Sequence, residues 1–289
     1  MDLAIGAVLD NYTVIRVIGA GSMGAVYEAI EERTGNHVAI KMLHPDRSDD
    51  TGMAARFDRE ILVMRSLDHP HIVRCLGYGE HQGKTYFVMA LVAGVSLAVW
   101  IRSHFFTPLE VLAILEPLCS ALDYAHSFNV LHRDVKPSNI LVDLSGENPQ
   151  VYLSDFGLSK VIDMASLTET QMQVGTPNYM SPEQAQDFPL TPATDVYALA
   201  IIAYEMLLRQ LPFVAHDDFE MAMAQVQQPP RAPSELVTHF PLALELVLLK
   251  GLAKDPDYRY ASAGQFYTAF AEAVTELDEE ARSTIYRYA

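Results

Sequence analysis

The chain has 289 residues, of which 50% are hydrophobic and 20% charged, and a formal net charge of −17. That apolar fraction supports a sizeable core in one domain or two close lobes. The acidity disfavours nucleic acid and anionic lipid surfaces as partners and suits basic protein acceptors, although solubility alone accounts for it. Two cysteines, Cys75 and Cys119, sit in apolar surroundings and read as buried thiols of a reducing compartment. The start, Met1-Asp2-Leu3, lacks a basic leader region. The longest apolar stretch, Tyr197–Leu208, contains Glu205 and is too short to span a bilayer. A cytoplasmic location with no membrane span in this chain is therefore expected, a membrane anchor beyond residue 289 staying open.

In chain order, Tyr12–Ile18 alternates as a strand. Gly19-Ala20-Gly21-Ser22-Met23-Gly24 follows, and Ala25–Ala29 reads as another strand. A dinucleotide site would need a helix after the glycines; a β segment predicts instead a loop joining antiparallel strands, its backbone N–H groups open to phosphates. His37–Lys41 is a third strand ending in a lysine. A helix is predicted over Met53–Leu67, with Phe57, Ile61 and Met64 on its apolar stripe. Glu60 shares that stripe, and a carboxylate there needs a cation, for which Lys41 is the candidate. His69-Pro70-His71 predicts a turn, not a metal site. Thr85–Met89 is a buried strand, and Thr107-Pro108-Leu109-Glu110 is a capping box opening a long helix to Phe128. His126, on that helix, reads as a hydrogen-bonded core histidine.

His132-Arg133-Asp134-Val135-Lys136-Pro137-Ser138-Asn139 is polar between two apolar runs. Two short strands follow, Ile140–Val142 and Val151–Leu153, with turn formers between them. Pairing them as a hairpin brings Asn139 beside residues just after the second strand, which include Asp155. Two oxygen ligands so placed suit a hard divalent cation. Leu158–Val174 is polar and predicts a flexible loop carrying Ser159, Ser166, Thr168 and Thr170. Thr191-Pro192 caps an apolar helix running through Asp195 to Glu205, the expected core of the larger lobe. Gln227–Pro233 is a short rigid loop, and the acidic stretch from Leu277 predicts a loosely held tail, with Tyr286 and Tyr288 as surface aromatics.

His132–Asn139 with Asp155-Phe156-Gly157 resembles the catalytic core of the eukaryotic-type (Hanks-type) protein kinases, in a spacing most like bacterial Ser/Thr kinase domains. The resemblance runs from about Tyr12 to about Val274. It implies an α+β bilobal fold, with a small β-rich N-lobe (12–89) bearing one main helix, a hinge (90–94), a larger helical C-lobe (95–274) and a tail (275–289). It also implies transfer of the γ-phosphoryl group of ATP to Ser/Thr hydroxyls of proteins, with Mg²⁺ or Mn²⁺ as cofactor.

Carried onto this sequence, the resemblance makes Asp134 the acceptor of the hydroxyl proton and Lys136 the γ-phosphate's counter-charge. Asn139 and Asp155 become metal ligands, and Lys41, held by Glu60, the clamp on the α- and β-phosphates. Ile18, Gly19, Ala20, Gly21, Ser22, Met23, Gly24, Val26, Ala39, Met89, Ala90, Val92 and Leu141 complete an ATP site, with Met89 as gatekeeper and Ala90 and Val92 offering backbone groups to adenine. Ala90 stands where the family usually has Glu, and Ala93 where a polar residue near the ribose is common. Gly175–Glu183 resembles the segment that seats the acceptor, with Thr176 in it and Ser181 in place of Ala. Asp195 is implied to brace the catalytic loop, and an arginine in Lys254–Arg259 to pair with Glu183. Thr168 and Thr170 fall where activating phosphorylation occurs, opposite Arg133, and a homodimer would serve trans-autophosphorylation. Two rivals stay open at this point. One is a pseudokinase scaffold, against which Lys41, Asp134, Asn139 and Asp155 all count. The other is a small-molecule phosphotransferase, against which Gly175–Glu183 counts.

Overall fold

The structure is a computed structural model and describes residues 3–21, 24–43, 63–156 and 177–286. These fall into two compact units, the first ending at Ala93 and the second starting at Gly94. The predicted helix of Met53–Leu67 lies largely outside the described residues; residues 63–66 are helical.

The first unit is built on an antiparallel six-stranded sheet: β1 (Val8–Leu9), β2 (Tyr12–Gly21), β3 (Gly24–Glu31), β4 (His37–Leu43), β5 (Cys75–His81) and β6 (Lys84–Ala90), in the order β1-β2-β3-β4-β6-β5. Alternation sets its faces. Leu9, Val14, Tyr27, Ala29, Val38, Ile40, Met42, Tyr86 and Val88 bury together as one cluster. The β5–β6 turn uses Gln82 and Gly83, both at positive φ (52° and 77°), as a tight hairpin whose twist matches its strands requires.

In the second unit a small sheet, β7 (Val95–Ser96), β8 (Ile140–Asp143) and β9 (Gln150–Leu153), accompanies nine helices among the described residues. The first two are α1 (Leu97–Ser103) and α2 (Pro108–Ser127). The predicted capping box is present, Thr107 and Glu110 satisfying each other's backbone N–H groups. After α3 (Pro182–Ala185) comes α4 (Pro192–Leu208), almost all of which is buried. A helix apolar on all sides must be enclosed by others, and α4 is the core of this unit, as expected. There follow α5 (Asp218–Gln227), α6 (Pro233–Leu236), α7 (Leu242–Gly251), α8 (Ala263–Glu276) and α9 (Glu279–Arg282). The Asp123 carboxylate of α2 accepts from Ala263 N and Gly264 N, at 2.9 Å each, and so caps α8. No helix of the described residues is long and apolar enough to cross a membrane.

The tail differs from expectation. Instead of a loose end from Leu277, α9 forms with Asp278 as its cap, and Arg282 Nε donates to Val274 O at 3.1 Å. Tyr286 is buried against Phe240, with ring centroids 5.0 Å apart. An aromatic reaching an apolar partner outweighs the acidic composition that suggested a solvated tail. Tyr288 lies outside the described residues.

Candidate active site

In the first unit the β-register collects predicted nucleotide residues on one face. Val26 pairs with Lys41, and Ala39 with Met89. Residues directly paired, or two apart on one strand, share a face. Val26, Ala39, Lys41 and Met89 therefore stand together, opposite the face of Tyr27, Ile40 and Val88. Gly19 pairs with Val26, Ala20 with Ala25, and Gly21 with Gly24, so the glycine segment joins two antiparallel strands as predicted. Its glycines differ in kind. Gly24 has φ 143°, and a Cβ there would stand 1.9 Å from Met42 O; at Gly19 a Cβ would meet nothing within 4 Å. Gly24 is thus demanded by the sheet itself, whereas Gly19 leaves space. Ile18 is partly exposed beside a β-bulge. Lys41 is only 6% exposed. Its predicted partner Glu60 lies outside the described residues, as do Ser22 and Met23. The Ala90 N–H donates to Arg74 O at 2.9 Å and is committed there; Val92 is half-buried, outside regular structure.

In the second unit Ile140 pairs with Leu153, so the hairpin closes as predicted. Asn139 O accepts from Ser154 N (2.8 Å) and Ser154 Oγ (2.9 Å), which sets Asn139 beside the residue preceding Asp155. The Asn139 amide donates from Nδ2 to Asp134 O (2.8 Å) and Asp134 Oδ2 (2.9 Å). Both hydrogens are then spent on Asp134, which turns Oδ1 the other way. Lys136 Nζ lies 2.8 Å from the same Asp134 Oδ2. Leu141, half-buried on β8, pairs with Ser96 and Tyr152.

Two residues here hold left-handed backbone, Arg133 at φ 66° and Asp155 at φ 64°. Such conformations cost about 1–3 kcal/mol each and persist where surroundings over-determine them. For Arg133 those surroundings are plain. Asp195 accepts from His132 N, Arg133 N and His126 Nε2 at 2.9, 2.9 and 2.7 Å, while Gln184 Nε2 donates to Arg133 O at 2.7 Å. Burial alone would raise the Asp195 carboxyl; the His126 hydrogen bond and charge and the His132 backbone N–H outweigh it and hold it below the usual aspartate value. His126 is the core histidine the sequence predicted, although its buried Nδ1 has no partner.

His132 has a part that sequence reading missed. It is fully buried, its Nδ1 accepts from Asp134 N at 3.3 Å, and its Nε2 lies 2.8 Å from Ser154 O. Accepting at Nδ1 requires the Nε2–H tautomer, which donates to Ser154 O. One imidazole thus ties the Asp134 loop to the strand end carrying Asp155, and it packs on Phe156 at 4.6 Å. Its 0% exposure was the missing signal: a polar residue between apolar runs reads equally as surface.

The donor set fits a divalent cation. Asn139 and Asp155 offer oxygens, and among the described residues no group of three or more His, Cys, Asp or Glu is placed to hold a metal. A cation here would take few protein oxygens and complete its shell from phosphates and water, as Mg²⁺ prefers to do.

Beyond this loop, Glu183 and Arg259 form the expected pair. Arg259 Nη1 and Nη2 each lie 2.7 Å from a Glu183 oxygen, both side chains buried. Burial raises the Glu183 carboxyl, but the Arg259 hydrogen bonds and charge outweigh it and hold it low. Ser181, unexpected for an alanine position, is the N-cap of α3 in a capping box with Gln184. Tyr179 Oη donates to Glu205 Oε2 at 2.6 Å, while burial lifts the Glu205 carboxyl above its ordinary value. Gly157, Thr168, Thr170 and Thr176 lie outside the described residues.

The protein kinase domain family matches residues 12–286, beyond the Val274 limit read from motifs. The chain is 37% identical over 285 residues to the serine/threonine-protein kinase PknD of Mycobacterium tuberculosis, covering 98% of this chain and 42% of PknD. It is likewise 37% identical over 273 residues to the probable serine/threonine-protein kinase PknB of Lactococcus lactis, covering 93% of this chain and 43% of PknB. The chain thus spans less than half the length of these two relatives. The crystal structure of the Mycobacterium tuberculosis PknI kinase domain superposes with a TM-score of 0.75 at 30% identity, covering 94% of this chain and all of that one. These matches run through both units and every motif above, and the chain belongs to the protein kinase domain family, as a bacterial Hanks-type Ser/Thr kinase domain.

Proposed function

We propose that this chain transfers the γ-phosphoryl group of ATP to Ser or Thr hydroxyls of protein acceptors, using Mg²⁺. The observation that carries the reading is the shared contact of Asn139 Nδ2 and Lys136 Nζ with Asp134 Oδ2, at 2.9 and 2.8 Å. A carboxylate so fixed is oriented to take a proton, and its lysine neighbour supplies positive charge where phosphate charge would develop. In the reaction the acceptor oxygen forms a bond to the γ-phosphorus as the bond from that phosphorus to the β–γ bridging oxygen breaks. ADP leaves and the hydroxyl proton passes to Asp134. Asn139 and Asp155 would hold the divalent ion, which supplies charge neutralisation on the phosphates. Lys41 and the Gly19–Gly24 backbone are the residues assigned to gripping ATP, with Val26, Ala39, Met89, Ala90, Val92, Ile18, Ala20 and Leu141 around the base and sugar.

Regulation by phosphorylation of Thr168 and Thr170, in trans within a transient homodimer, belongs to the same reading. Arg133 precedes Asp134, and its guanidinium is suited to a bidentate phosphate contact. The test of the activity is mass spectrometry of Ser- and Thr-containing basic peptides incubated with protein and Mg-ATP. Wild type should phosphorylate them. Asp134→Asn should lose about 10²- to 10⁴-fold in rate while still binding ATP. A peptide left unmodified by wild type, or modified equally by both proteins, overturns the assignment.

A further inference from the structure

The segment from Pro177 to Glu183 is anchored at both ends, and only the Glu183 end was legible in sequence. At the other end stands Gln225 of α5, completely buried although polar. Its Nε2 donates to Asn178 O at 2.8 Å and Pro177 O at 3.2 Å, and its Oε1 accepts from Tyr197 Oη at 2.6 Å. Lys254 Nζ lies 3.5 Å from Tyr197 Oη and 2.6 Å from the Gln225 backbone oxygen. A lysine ammonium only donates, so the tyrosine oxygen accepts from Lys254 and directs its one proton to Gln225 Oε1. That fixes the amide: both Nε2 hydrogens face the two carbonyls.

Those carbonyls begin the turn Pro177–Tyr179. Pro177 O also accepts the Met180 N–H at 3.2 Å within the turn; α5 consumes its own backbone N–H groups, so its donors to Pro177 O and Asn178 O come from a side chain. A leucine or methionine at 225 would fill the space, withdraw the donor to Asn178 O and leave Pro177 O with the Met180 N–H alone. Tyr197 also links the two anchors: the Arg259 guanidinium lies 4.7 Å from its ring centre while binding Glu183.

Resting on the function proposed above, we propose that Gln225 is a positioning residue for the protein acceptor: it sets the backbone of Pro177–Asn178, and with it the seat of the acceptor's residues beside the target hydroxyl. It touches neither ATP nor the reacting atoms. Its loss changes how well an acceptor is held and leaves nucleotide affinity alone.

The test compares wild type with Gln225→Leu and with Tyr197→Phe, which keeps the ring but withdraws the hydroxyl that orients the amide. Hydrogen–deuterium exchange in peptides spanning residues 177–181 should accelerate in both variants, more in Gln225→Leu, while the α4 core Val196–Leu207 keeps its protection. In steady-state assays KM for a peptide acceptor should rise about tenfold in Gln225→Leu and KM for ATP should stay within about twofold. A residue that merely stabilises the fold would lower the melting temperature without splitting the two KM values. Should Gln225→Leu fail to fold, Tyr197→Phe carries the comparison. Unchanged exchange at 177–181 in a folded variant, or equal changes in both KM values, overturns the proposal. The exchange measurement needs no turnover, so a wild type that transfers no phosphoryl group sinks the activity reading and leaves this one to be decided by exchange.

Discussion

Asp195 Oδ1 accepts the backbone N–H of Arg133 at 2.9 Å, and Arg133 holds a left-handed φ of 66°. The residue next to the proposed base is thus kept in a costly conformation by a buried carboxylate 62 positions along the chain. Asp195→Ala removes that acceptor and withdraws the partner of two backbone N–H groups, the buried one of His132 and the part-buried one of Arg133. The expected result is a fall in kcat of about 10- to 100-fold, since small displacements of a catalytic group cost that much. ATP affinity should stay near wild type. Stopped-time phosphorylation assays and nucleotide titration check this; an unaltered kcat would show that the loop keeps its shape unaided.

The glycine segment gives a contrast within a few residues. Gly24→Ala forces a Cβ to 1.9 Å from Met42 O at a φ few side chains adopt, so the β3–β4 pairing must give way. Its melting temperature should fall, by several degrees at least. Gly19→Ala meets open space and should melt as wild type does, while KM for ATP rises if the segment covers phosphates. Thermal melts and ATP kinetics on both variants separate sheet glycine from ligand glycine.

Arg259→Met should destabilise by about 3–5 kcal/mol at neutral pH, because it leaves the Glu183 carboxylate buried without its cation. The pH dependence has a defined sign. Glu183 and Asp195 both have carboxyls held below their ordinary values, so their stabilisation is present above those ordinary values and is lost as pH falls through the folded ones. In Arg259→Met the Glu183 part of that profile disappears. The gap in stability from wild type should shrink in acid, where Glu183 is protonated in both proteins. Urea unfolding at several pH values measures it, and a gap that does not change with pH would show that Glu183 keeps another cation.

Thr168 and Thr170 carry the regulatory proposal. After incubation with Mg-ATP, phosphosite mapping should find one or both modified. The double variant Thr168→Ala/Thr170→Ala and the single variant Arg133→Ala should each lose most of the activation that incubation gives wild type. If neither threonine is modified, or the double variant is as active as wild type, this loop is not the switch.

The sequence by itself determined the family and several of the elements. Glycine spacing between alternating strands implied the β2–β3 hairpin, Thr107-Pro108-Leu109-Glu110 marked the start of α2, and the hairpin after Asn139 implied where Asp155 stands. Each is local: turn residues, caps and strand period act over a few positions, and the chain writes them contiguously. Tertiary structure alone decided what holds the site. His132 linking Asp134 N to Ser154 O, Gln184 reaching Arg133 O, and Gln225 meeting Pro177 and Asn178 are hydrogen bonds between distant segments. The burial of Tyr286 against Phe240, a ring contact between distant segments, reversed the expectation of a loose tail. A polar residue on a helix reads alike whether it faces water or an orphaned carbonyl. Only packing removes the water, and an unpaired buried group then costs enough to make one partner obligatory.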